Sequence, residues 1–143
     1  MRSTLQPGLD AGLEYLVPPE RTVPRLLPSR RSSLSCRPLA TGYLVGIVEW
    51  TCLRALDGYL DAGEQTLGVH VDLSHDAPTP PDCTITVEVE VTAVDRRQVT
   101  FTVHAFDEAA TVCRGTHKRT VIDTVRFQDR LRQRAATISG DPA

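Results

Sequence analysis

From Thr41 onward the chain is apolar or small on almost every side: in TGYLVGIVEWTCLRA only Glu49 and Arg54 are charged, and Asp57 and Asp61 follow later. A helical stretch with no polar face predicts a helix buried all round. Thr41 is a fair N-cap, and Gly63, two residues past Asp61, is a fair stop. Beyond it the period falls to two. In LGVHVDLSH, Val69, Val71 and Leu73 share one parity, with His70, Asp72 and Ser74 on the other. In TITVEVEVTAV, Ile85, Val87, Val89, Val91 and Ala93 alternate with polar residues, a strong strand signal. Val99, Phe101, Val103 and Ala105 repeat the pattern after the DRRQ turn, and a last strand is predicted from about Thr111 to Val125. Between the first two of these strands, DAPTPPD carries three prolines in seven residues and reads as a loop.

The segment before the helix is harder to read. Six of the ten prolines (Pro7, Pro18, Pro19, Pro24, Pro28 and Pro38) lie in residues 1–40 and interrupt any long helix. Short strands are plausible at Leu13–Val17 and Arg21–Leu26, and PSRRSSLSCRP reads as an exposed loop. The expectation is one domain over residues 1–143. Residues 1–40 form an irregular N-terminal or lid region, and residues 126–143 a tail that begins as a short polar helix and frays. One helix followed by four antiparallel strands is an α+β arrangement in which a curved antiparallel sheet wraps the lone apolar helix, satisfying both apolar surfaces at once.

Composition narrows the function. A chain of 143 residues has length for one core. A net charge of −2 gives no reason to expect nucleic acid as a partner. No run approaches the roughly 18 apolar residues of a membrane helix. The first residues carry Pro7, Asp10 and Glu14 where a signal peptide needs an unbroken apolar stretch, so a cytoplasmic protein is expected. The four cysteines (Cys36, Cys52, Cys83, Cys113) form no CxxC pair, which counts against a metal site or a redox motif. No cofactor is expected, and Cys52, inside the apolar helix, reads as packing.

Glu49 is the anomaly. Burying an ionised carboxylate without a partner is costly, so a carboxylate in this run is either paired with an arginine or used in chemistry. At helical spacing it shares a face with Gly42, Val45, Gly46 and Cys52, either a groove left open for a ligand or a site of close backbone packing. His75 has the parity of Val69, Val71 and Leu73, the face toward the helix, and is either a satisfied edge residue or a partner for Glu49. His70, His104 and His117 lack that placement. Thr41 is an N-cap or, at a helix start that presents free N–H groups, part of a site that stabilises an oxyanion with donors near Gly42–Leu44. Arg25, Arg30, Arg31 and Arg37 crowd the preceding loop, as a solvated surface or as a holder of phosphates.

ATGYLVGIVEWTCLRA, YLDAGEQTLGVHVDLSHDAPTPP and RGTHKRTVI together resemble the fluoroacetyl-CoA thioesterase branch of the hot-dog-fold superfamily. The likeness covers roughly residues 38–125, with a weaker echo at LVPPERTVPRL. It implies a hot-dog fold, homodimers with sites at the interface, and hydrolysis of a small acyl-CoA or acyl-carrier-protein thioester. It implies a catalytic set of Thr41, Glu49 and His75, with Gly68 and Arg119 beside the acyl group. Gly42 and Gly46 complete the expected substrate-binding set, and Arg25, Arg30, Arg31 and Arg37 are the candidates for coenzyme A phosphate. The segment SSLSCRPLA has no aromatic residue where the fluoroacetyl-specific enzyme carries phenylalanines, so selectivity for a fluorinated acetyl group is not implied. The D-x-N-P-x-H pattern of hot-dog hydratases is absent. The other reading is a non-catalytic hot-dog domain that binds an acyl ligand or a partner protein. Eight residues, about 12 Å of helical rise, separate Thr41 from Glu49. Thr41 must therefore fold back, or a second subunit must contribute.

Overall fold

The computed structural model of the protein describes residues 1–23 and 37–140. The main helix, α1, spans Thr41–Ala55. Strand β1 (Asp10–Leu16) precedes it, and β2 (Glu64–Leu73), β3 (Thr84–Asp95), β4 (Gln98–Phe106) and β5 (Thr111–Asp123) follow, with a second helix, α2, at Thr124–Ser139. The five strands form one antiparallel sheet in the order β1-β3-β4-β5-β2. β1, drawn from the segment expected to be mostly irregular, thus makes one edge, and β2 makes the other. Of the strand expected at Arg21–Leu26, Arg21 ends a 3₁₀ turn and Thr22 forms a single bridge to Leu39. Residues 24–26 lie outside the described residues.

The period-two patterns hold until bulges interrupt them. Ile85, Val87, Val89 and Val91 are all buried, but the register of β3 against β4 shifts between Val91 and Ala93. Thr92 becomes the extra residue and Val94, not Ala93, turns toward the core cluster. An inserted residue flips every later side chain to the opposite face. The same event in β2 has more consequence. Its pairing with β5 shifts between Gly68 and His70, so Val69 is the extra residue. Thr66 and Gly68 oppose the inward-facing Val121 and Arg119, and past the bulge Val71 opposes the buried His117. Val69 therefore leaves the parity it shares with Val71 and Leu73 in the sequence.

α1 is shorter and less enclosed than its composition predicts. It ends at Ala55 because Leu56 and Asp57 donate to the carbonyls three residues back, and Gly58, at φ 84°, takes the left-handed turn before Gly63 is reached. Leu44, Ile47, Val48, Thr51, Cys52 and Ala55 are buried, the single face that spacings of three and four produce. Opposite them Trp50 is 49% exposed and Leu53 40% exposed, so half of an apolar helix is uncovered in one chain. At the far end, Asp123 leaves β5 to cap α2, its carboxylate accepting from the Arg126 N–H at 2.9 Å, and Gly140 closes that helix in the left-handed region. The capped, 16-residue helix replaces the fraying tail that was expected. No helix among the described residues is long and apolar enough to cross a membrane.

Candidate active site

Thr41 is the first helical residue rather than the cap. The cap position is Ala40, which has no side-chain acceptor. The threonine hydroxyl is thus released from capping and sits 2.9 Å from His75 Nδ1. His75 follows β2 in a segment that continues to pair with β5, through Ser74 N–H to the Arg114 carbonyl and Asp76 N–H to the Val112 carbonyl, which fixes the backbone on both sides of the imidazole. Its Nε2 is buried and has no hydrogen-bond partner among the described residues. A ring nitrogen in that condition is available to a ligand or to a proton in transit. Beside the pair lies a cavity of about 270 Å³ lined by Val23, Pro38, Leu39, Thr41, His75 and Ala77, among others. The Tyr43 and Leu44 N–H groups already donate to the Ala40 carbonyl. Among the described residues, the helix-start N–H groups without a partner are accordingly those of Thr41 and Gly42, a different set from Gly42–Leu44.

Two turns further on, Glu49 is not sequestered. Its side chain is 39% exposed, correcting the expectation of a carboxylate enclosed on all sides. Its Oε1 lies 3.7 Å from Arg119 Nη1 and 3.7 Å from His117 Nε2. Arg119 does not clasp it: Nε donates to Thr66 Oγ1 at 2.9 Å, Nη2 to the Thr66 carbonyl at 3.1 Å, and Nη1 lies 3.1 Å from His117 Nε2. The guanidinium offers Glu49 an electric field rather than a bidentate grip. Gly68 provides the space for the carboxylate, since a Cβ there would fall 2.3 Å from Glu49 Oε1. Burial and the Arg119 charge push the His117 imidazole below its ordinary range, and burial lowers Arg119 as well. Burial pushes the Cys52 thiol up to about 12, which keeps it protonated and consistent with packing.

The sequence-derived set therefore falls into two groups. Thr41 and His75 meet, and Glu49, Gly68 and Arg119 meet. Gly42 and Gly46 lie exposed on the uncovered face of α1, where a Cβ at Gly46 would meet nothing within 4 Å. Cys52, placed with them on the helical wheel, faces the core instead. Arg37 is exposed, while Arg25, Arg30 and Arg31, with most of the aromatic-free segment, lie outside the described residues. His117 was missed. It is fully buried against Glu49 and Arg119, and its signal was parity: two residues from Arg119 on a strand, it shares that residue's inward face.

The same arrangement of helix and sheet occurs in a hot-dog-like protein from Thermanaerovibrio acidaminovorans, with a TM-score of 0.80 at 22% identity over 91% of this chain and 93% of that one. The fold is the hot-dog fold. The model of the fluoroacetyl-CoA-specific thioesterase family matches residues 18–125. The fluoroacetyl-CoA thioesterase of Streptantibioticus cattleyicolor is 38% identical over 122 residues, 85% of this chain and 88% of that protein. A structure of the fluoroacetyl-CoA thioesterase FlK aligns with a TM-score of 0.86 at 36% identity, covering 92% of this chain and 98% of that one. The chain belongs to the fluoroacetyl-CoA-specific thioesterase family.

Proposed function

We propose that this thioesterase hydrolyses a small acyl-coenzyme A to the free acid and the thiol, in the cytoplasm, as a homodimer whose sites lie between the two copies. The observation that carries the reading is the hydroxyl–imidazole pair of Thr41 and His75 at a helix start, with a carboxylate on the same helix held in the field of Arg119. Within one chain these groups are about 12 Å of rise apart. The uncovered face of α1, with Trp50 and Leu53 on it, favours a second copy that covers the helix and completes each site.

In this reading the Thr41 and Gly42 N–H groups polarise the thioester carbonyl, a contribution typically worth about 10²–10³ in rate per donor. Glu49 supplies the carboxylate, as a base toward water or as a nucleophile toward the carbonyl carbon. His75 carries the proton to the departing sulfur, and Thr41 orients the attacking group through its bond to that ring. One C–S bond breaks, one C–O bond forms, and the water's hydrogens end on the thiol and the acid. Arg37 and the arginines before it take the phosphates of coenzyme A. Without the aromatic residues of the fluoroacetyl-specific enzyme in SSLSCRPLA, acetyl and propionyl thioesters turn over alongside fluoroacetyl. An assay of released thiol over acyl-CoAs of graded length tests this, with Glu49→Gln inactive although folded. A variant retaining more than about a tenth of the rate would remove Glu49 from its role.

A further inference from the structure

Among the described residues, His117 is a buried titratable group that this mechanism leaves unused. Its ring is held at both nitrogens. Nδ1 lies 2.9 Å from the carbonyl oxygen of His70, and a carbonyl only accepts, so Nδ1 carries the hydrogen. In the neutral ring Nε2 is then a lone-pair acceptor, and Arg119 Nη1 donates to it at 3.1 Å. The other Arg119 bonds run to the side chain and carbonyl of Thr66. The two anchors on β2, Thr66 and His70, stand on either side of the bulge at Val69. Arg119 is thus gripped from β2 on one side and from its own strand on the other, and each of its donors so used is directed before Glu49 is considered. Glu49 Oε1 is equally far, 3.7 Å, from His117 Nε2 and Arg119 Nη1. Between a lone pair and a cation, only the cation attracts a carboxylate.

We propose that His117 is a positioning residue for thioester hydrolysis: anchored on the His70 carbonyl, it accepts from Arg119 and fixes the guanidinium whose field places the Glu49 carboxylate. The inference rests on the reading of Glu49 as the reacting carboxylate. The depressed proton affinity of the ring, caused first by burial and then by Arg119, agrees with a neutral acceptor at this position. With His117 unable to accept, Arg119 keeps its Thr66 bonds but is free to swing about them, and the carboxylate drifts from the thioester carbon. The coenzyme A phosphates are not part of that chain of contacts, so kcat falls further than KM rises.

The test compares two isosteric amides. His117→Asn puts an N–H at the Nδ1 position and nothing at Nε2, so it keeps the His70 bond and loses the Arg119 bond. His117→Gln brings an amide oxygen toward the Nε2 position, where it accepts from Arg119. Expected are a fall in kcat of about 10–10² for H117N with a much smaller change in KM, and partial recovery of kcat in H117Q. Equal losses in both variants, in step with lowered melting temperatures, mark a merely structural residue and overturn the proposal. Glu49→Gln is measured beside them. If E49Q is inactive and H117N turns over at the wild-type rate, this inference alone falls. If E49Q is active, the assignment of Glu49 falls and this inference with it. The imidazole nitrogen-15 shifts of the unaltered protein give a readout that no variant has to fold for: a neutral Nδ1–H tautomer supports the proposal, and an Nε2–H or doubly protonated ring at neutral pH overturns it.

Discussion

Both faces of α1 carry apolar residues, and their fates are opposite. The inner face, from Leu44 to Ala55, is buried by the chain's own sheet and needs nothing else to explain it. The outer face carries Gly42, Gly46, Trp50 and Leu53, with Glu49 at its border, and the chain leaves it uncovered. In the proposed reading a second copy of the chain covers that outer face. The same turns carry Gly42 and Glu49, to which the proposed mechanism gives roles. The inner face makes the fold, and in the proposed mechanism the outer face contributes to the site.

The comparison breaks most decisively by complementation. Thr41→Ala and Glu49→Gln are each expected to be inactive alone. If a site takes Thr41 and His75 from one copy and Glu49 from the other, subunit exchange between the two variants restores about a quarter of wild-type turnover, because about half the dimers are mixed and one of their two sites is whole. No recovery places the complete site within one chain. Next in size is a contrast of leucines. Leu44→Ala on the inner face lowers unfolding free energy by about 2–5 kcal/mol in urea titrations. Leu53→Glu on the outer face preserves the helical circular dichroism but gives a monomer in sedimentation velocity, with activity lost. A wild-type protein that sediments as a monomer would leave the outer face unexplained.

Gly68→Ala sharpens the role of the space under Glu49. The new methyl would fall 2.3 Å from Glu49 Oε1, the free end of a flexible side chain, and 3.2 Å from Cε1 of the buried His117 ring, which must give by a few tenths of an ångström, so kcat drops on the order of tenfold or more while the melting temperature falls only modestly. A loss of folding instead would make Gly68 a packing residue. The smallest effect is one of pH. His117 is buried neutral, with its pKa below that of the unfolded chain, so the unfolded state binds more protons in the interval between the two. Its contribution to stability is complete above the ordinary histidine value of about 6.5 and declines as pH falls below it. Melting curves between pH 5 and 8 should show that decline, and His117→Gln should flatten it. A wild-type slope of the opposite sign would contradict a neutral ring.

Much of this was visible in the sequence because period and composition are local. The alternation Val99, Phe101, Val103, Ala105 survives intact in β4, since no inserted residue interrupts it. The expectation for Val69 failed because pairing of β2 with β5 puts an extra residue there, and no local pattern encodes which strand opposes which. The helix stop was misplaced for a related reason: Gly58 and Gly63 both take positive φ, and the first one reached ends the helix. His117 escaped notice because its partners, Arg119 apart, come from α1 and β2, more than forty residues away in the chain.

By itself the sequence determined the central helix, the alternating strands after it and the residue types that the proposed mechanism uses, because each depends on neighbours a few positions apart. The tertiary structure alone decided which of those residues meet. It put the Thr41 hydroxyl on His75 rather than on a helix cap, and it set Glu49 over Gly68 and beside a guanidinium already committed to Thr66 and His117. Contacts between elements follow from register, bulges and the path of the sheet, and these are properties of the packed whole that no short stretch of chain contains.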